Sequence, residues 1–139
     1  MALDMKSTGL SGGNFGAELD DYEEGTVTYT GVNFTVNAHN YAVYTKIARV
    51  ATLNTYISAT SGTGSAASVT GAPYATATDG YAPTVLNHSQ ANSNVNNPHI
   101  RIGSATSQIL FHKDGDGSSP GNDIDASHLI WALTYITAS

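Results

Sequence analysis

The residues best able to do chemistry are the acids, and they gather in two places. Glu18, Asp20, Asp21, Glu23 and Glu24 crowd into the segment ELDDYEEG at 18–25. Paired carboxylates hydrolyse glycosides by holding different pKa values on either side of a scissile bond. No sugar-binding aromatic cluster accompanies these acids, and adjacent solvated carboxylates keep ordinary pKa values. The expectation is structural: Leu19 and Tyr22 anchor this strap in the domain or between subunits. Its acids then accept hydrogen bonds or meet a basic patch on a partner.

The second acidic segment is KDGDGSSPGNDID at 113–125. Asp114, Asp116, Ser118, the Pro120 carbonyl, Asn122 and Asp125 fall in the register of an EF-hand loop, whose oxygens suit the six to eight ligands of Ca2+. Ser119 stands where that register wants Gly, the closing acid is the shorter Asp, and no helices flank the loop. A hairpin loop built from turn residues is the competing reading, and no cofactor is required.

Other candidates are weaker. The histidines at 39, 88, 99, 112 and 128 never take the spacing of a strand or helix chelate, and zinc needs three or four converging ligands. There is no G-x-S-x-G elbow for a Ser-His-acid centre. Gly12, Gly13 and Gly16 have no preceding strand and no following Lys-Ser/Thr, so they form no phosphate loop. The amide-rich run SQANSNVNNP at 89–98 offers Asn92, Asn94, Asn96 and Asn97 as a recognition tip for a glycan or a neighbouring protein, against a plain solvated connection. Trp131, the sole Trp, is expected in the core.

Composition narrows the class further. The chain has 139 residues, enough for one domain with a self-standing core. Only 12% of residues are charged, and 17 Thr, 14 Ser and 11 Asn fill the gap. Hydroxyls and amides suit strands and turns better than helices. A net charge of -6 argues against a nucleic-acid binder, which needs a basic stripe. With no cysteine there is no disulfide framework and no thiolate chemistry. Met1–Gly16 lacks the apolar run of a secretory leader, and no stretch reaches the roughly 18 apolar residues of a membrane span. The expectation is no leader and no membrane insertion.

The elements that must position these residues are short β-runs. Residues 1–17 are small, Gly-rich and aperiodic, which reads as a flexible arm that orders on a partner. From Thr26 onward turn residues divide the runs. Thr26–Val36 alternates with a break at Gly31. Asn40–Ser58 is too long for one strand and reads as two around a bend at Ala48–Arg49. Ser61–Ser65 reads as a hairpin-type loop. Ala67–Thr70, Gly80–Asn87, His99–Gly103, Gln108–Lys113 and Leu129–Thr137 follow. The last run is apolar on both faces, which predicts a central strand covered on both sides. Any helix is a turn or two near Asp123–His128. Antiparallel sandwich or barrel is the class this spacing predicts. Large aliphatics are scarce and Tyr outnumbers Phe eight to three. Subunit contacts are therefore expected to supply part of the stability, with Tyr as interface residue.

Three segments resemble a known family. ELDDYEEGTVT at 18–28 is similar to the LDDYEEGT signature that opens a small β-domain of tailed-phage and prophage structural proteins. YTKIARV at 44–50 resembles the Y-T-K-I-G-N-x-V segment that follows it there. ASVTGAPY at 67–74 is similar to the next strand and its corner, and the paired C-terminal runs ending in TYIT also fit. The resemblance covers 18–139 in the family's order. It implies a non-enzymatic module of tail fibres, head fibres and other virion appendages, a jelly-roll-like β-sandwich assembling as a homotrimer. Since little precedes the module here, the resemblance implies an appendage or capsid-decoration subunit docked on other virion proteins through residues 1–17. Tyr29 stands where the family has Pro, and Ala48–Arg49 replaces Gly-Asn. Ala and Arg tolerate positive φ poorly, so a bulged continuous strand is expected in place of a tight hairpin.

The resulting expectation is an all-β antiparallel sandwich at 18–139, homotrimeric, located in the virion after assembly in the host cytoplasm. The alternative is a lectin-like module whose loops bind a host-surface glycan.

Overall fold

The computed structural model describes residues 22–78, 82–89, 98–113, 117–124 and 127–138. They form two antiparallel sheets packed face to face. The first sheet has the order β1-β3-β4-β11-β7: Tyr22–Thr26, Thr35–Ile47, Val50–Thr60, His128–Ile136 and Asn87–Ser89. The second has the order β2-β5-β9-β8-β6: Thr30–Val32, Ser68–Thr70, Ile109–Lys113, His99–Ile102 and Ala82–Val85. A short β10, Gly117–Ser118, pairs with β9. The fold class is thus an all-β sandwich, and no α-helix occurs among the described residues. One 3-10 turn lies at Gly121–Asp123, just ahead of the stretch expected to be helical.

Period-2 alternation makes the core. Leu129, Trp131, Leu133 and Tyr135 of β11 point inward with Leu53 and Ile57 of β4. They meet Ile100, Ile102, Ile109, Phe111 and Val69 of the opposite sheet. Phe111 packs edge-on against both Phe34 and Trp131, with ring centroids 5.8 and 5.9 Å apart, the geometry aromatic quadrupoles favour. Trp131 is in the core as expected. Its buried indole N–H meets no acceptor among the described residues.

Several boundaries differ from expectation. β3 and β4 do form a tight hairpin, with Ile47 paired to Val50 and Ala48 held at φ 50°, so the strand is not a continuous bulged one. Eleven cross-strand pairs between β3 and β4 hold the turn in that conformation. β3 instead carries two register shifts farther along, at Val36/Ala38 and His39/Tyr41. The run Thr26–Val36 breaks at 27–29 and again at Asn33 (φ 65°), not at Gly31, which lies within β2. Ser61–Ser65 is not a hairpin loop: it carries the chain from the first sheet to the second, where Ala66 bridges Pro120. The run Gly80–Asn87 splits at Leu86, which is buried between β6 in one sheet and β7 in the other.

The largest correction concerns β11. It is central, between β4 and β7, but only its odd-numbered face is covered, and Ile130, Ala132, Thr134 and Ile136 are exposed. Both faces are apolar in sequence, yet only one packs within the chain. The register extends this open face across four strands. Tyr22, Ile47, Val50 and Ile136 form one cross-strand row, and Tyr41, Tyr56 and Ile130 form another toward the far end. Between them lie Thr45, Thr52 and Thr134, then Val43, Asn54 and Ala132. Six of the seven exposed large hydrophobic side chains among the described residues stand on this face.

Candidate functional site: the β1 clasp

The acidic strap enters the fold as β1, an edge strand paired with β3 from Tyr22↔Ile47 to Thr26↔Val43. YEEGT has little intrinsic strand preference, so pairing with the long β3 is what makes it a strand. Alternation then sorts its side chains. Tyr22 faces outward, 52% exposed, and its hydroxyl donates to Glu24 at 2.6 Å. The expected anchor thus lies on the open face, not in the core. Leu19, residues 1–17 and the strap acids Glu18, Asp20 and Asp21 lie outside the described residues.

Glu23 faces the other way and meets two groups. Lys46, directly across the ladder and almost fully buried, donates to its Oε1 at 3.3 Å. The Tyr74 hydroxyl donates to its Oε2. The Lys46 ammonium also lies 5.1 Å from the centroid of the Tyr74 ring, a cation–π contact. Tyr44 packs edge-on against Tyr74 with centroids 5.6 Å apart, and Tyr135 donates to the Tyr74 carbonyl at 3.0 Å. Gly25 is required beside this group, because a Cβ there would come within 2.8 Å of the Tyr44 ring. Gly71 turns the chain toward Tyr74 at φ 111°, where a Cβ would meet the Thr28 carbonyl oxygen at 2.3 Å.

The electrostatics follow from these contacts. The Tyr74 hydroxyl first, and the Lys46 ammonium second, hold the Glu23 carboxyl below the usual glutamate value. This corrects the expectation that the strap acids keep ordinary pKa values. The same hydrogen bond pushes the Tyr74 phenol up. Neither shift places a proton donor or acceptor near neutrality. The cluster works chemically as a fastener, joining β1 to β3 and to the corner after β5.

Other candidate residues are placed as follows. Ser118 lies in β10, paired with His112, and the backbone of Asn122 lies in the 3-10 turn. Asp114, Asp116 and Asp125 fall outside the described residues, as do Asn92, Asn94, Asn96 and Asn97 of the amide-rich loop. Asp123, absent from the EF-hand register, is buried and pairs with Lys113 at 2.7 Å. No group of three metal-binding side chains gathers among the described residues. His99 and His112 stack across β8 and β9 with centroids 5.3 Å apart, a pairing their 13-residue separation hides. An open groove of about 380 Å3 runs between Thr26–Thr28 and His39–Val43. His39, which lines it, accepts the Tyr29 backbone N–H at Nε2 over 2.8 Å. No helix among the described residues is long and apolar enough to cross a membrane.

The clasp could not be found by spacing, because Lys46 and Tyr74 lie 23 and 51 residues from Glu23. One signal did exist: Glu23, Tyr44 with Lys46, and Tyr74 come from the three segments that carry the phage-protein resemblance. Compared with known proteins, the chain matches no family model, no curated protein and no solved structure.

Proposed function

We propose that this chain is a non-enzymatic structural protein of a tailed-phage virion, a fibre, appendage or capsid-decoration subunit. In this reading the sandwich is jelly-roll-like and assembles as a homotrimer. Residues 1–17 dock on other virion proteins, and the loops face outward toward the host surface. The observation that supports it is the convergence of the three family-like segments on one clasp. Motifs matched by chance would have no reason to meet in space, whereas segments that jointly build one structural feature must. The clasp also suits a docked subunit, because it fastens the sandwich to the strand that the arm leads into.

Imaging of the intact particle with a labelled antibody tests the reading directly. The expected result is regular decoration of tail or head that is lost when residues 1–17 are deleted. The deleted protein should still give a β-type circular dichroism spectrum in isolation. Particles that assemble and infect normally with no trace of the protein would overturn the reading. Glycan-array binding by a protein absent from the particle would favour the lectin-like alternative instead. Turnover of a capsule polysaccharide by the free protein would overturn its non-enzymatic part.

A further inference from the structure

The outward face of the β1-β3-β4-β11 sheet carries little charge among the described residues. Glu24 is its only carboxylate among the described residues, His128 brings an imidazole at the far end, and Arg49 sits at the rim with its guanidinium on the Thr137 carbonyl. Several polar groups on this face already pair with one another in the plane of the sheet. Thr52 and Thr134 hydroxyls lie 2.9 Å apart, Tyr56 meets His128 Nδ1 at 2.9 Å, and Asn40 donates to Ser58 at 3.0 Å. Burying a hydroxyl or amide costs little when its hydrogen bond is already made, and much when it is not. The face is therefore prepared to lose its water.

We infer that copies of this chain pack on one another through this sheet face. Three observations select a second copy as the occupant. The first is charge: a chain of net charge -6 repels its own copies, and contact through a face whose one described carboxylate is Glu24, on the edge strand, adds little to that repulsion. A basic partner would be drawn elsewhere, and an anionic one would gain nothing here. The second is size. Three strands of nine residues or more, about 4.8 Å apart and flanked by the five-residue β1, give a footprint of up to roughly 19 by 30 Å. The accessible area of such a corrugated patch exceeds its footprint and approaches the ~800 Å2 per partner of a stable complex. The third is pattern. The Tyr22/Ile47/Val50/Ile136 row and the Tyr41/Tyr56/Ile130 row bound a hydroxyl-rich middle, so a second copy presents matching rows at the same separation. Three such faces around a threefold axis would bring together Thr, Val, Ile and Tyr, with Glu24 on the edge strand.

This inference rests on the homotypic assembly in the function proposed above, and it adds the surface that makes it. Sedimentation of the full chain across the micromolar range, with Ile130→Asp and Ala132→Glu, tests it. The expected result is a wild-type oligomer that either variant weakens by about 100-fold or more, with near-ultraviolet circular dichroism retained. Val85→Asp, on the other sheet at 76% exposure, should leave association unchanged. Hydroxyl-radical footprinting of the wild type needs no variant: Tyr41 and Ile130 should lose reactivity as the oligomer forms. An oligomer in which those side chains stay reactive overturns the face but not the assembly. A wild-type monomer throughout the range overturns both, whether or not the protein is found on a particle.

Discussion

Glu23 shows how a single side chain can set the pH limits of a fold. Its carboxyl is held below the ordinary value in the native chain, so the unfolded chain binds the proton more readily. The stability it contributes is present above the ordinary glutamate range and is lost as pH falls through the lowered value. Glu23→Gln should flatten the acid side of a plot of Tm against pH, which calorimetry checks. The alkaline side has the opposite cause. Burial pushes the phenols of Tyr29 and Tyr135 up to about 12. Their contribution is present below the ordinary tyrosine value of about 10 and fades as pH rises from there toward about 12. Phenolate absorbance should show these two ionising only together with unfolding. In the core, Phe111→Ala should cost about 3–5 kcal/mol in denaturant unfolding, since two other rings lean on it. Trp131→Phe should cost no more than about 1 kcal/mol. The lost ring area is offset by removing a buried donor that lacks an acceptor, a defect worth about 1–3 kcal/mol.

At the scale of elements, the hairpin joining β3 and β4 holds Ala48 in the left-handed region, where an L side chain costs about 1–2 kcal/mol. Ala48→Gly should therefore raise stability by up to about 1 kcal/mol in chemical denaturation, once glycine's extra chain entropy is deducted. A fall in stability would show that the turn is not strained. Strands β5, β8, β9 and β11 were legible in sequence because apolar alternation bounded by turn residues is a local signal. β1 was not, since an acid-rich pentapeptide becomes a strand only when β3 lies beside it. The passage at Leu86 was not legible either: a chain that leaves one sheet for the other keeps its β composition, and nothing local marks the change. The open face of β11 escaped for a different reason. Apolar residues at 130 and 136 state that the face favours burial but not that the burial lies within the same chain. The Glu23 site was half visible. Sequence alone leaves Tyr22 as an anchor either in the domain or between subunits, and it does not single out Glu23 as the inward side chain, because strand parity is fixed only when β1 pairs with β3.

For the whole molecule, the balance between net charge and a sparsely charged sheet face makes a prediction of definite sign. If copies meet through that face, salt screens their mutual repulsion without breaking any ion pair at the junction. Association should then tighten as salt rises, measured by sedimentation equilibrium, whereas an interface built on ion pairs would loosen. Loss of affinity with salt would place the contact elsewhere on the sandwich.

The five-rung pairing of β1 along β3 has a mechanical consequence. In a subunit tethered by its first residues, tension enters at Tyr22 and runs along the strand axis. The rungs are then loaded together in shear, where they would open one by one if the strand were peeled sideways. The Glu23 fastener sits beside the point where the load arrives. A tug at the tether is thus shared across the sheet before it can reach the buried rings.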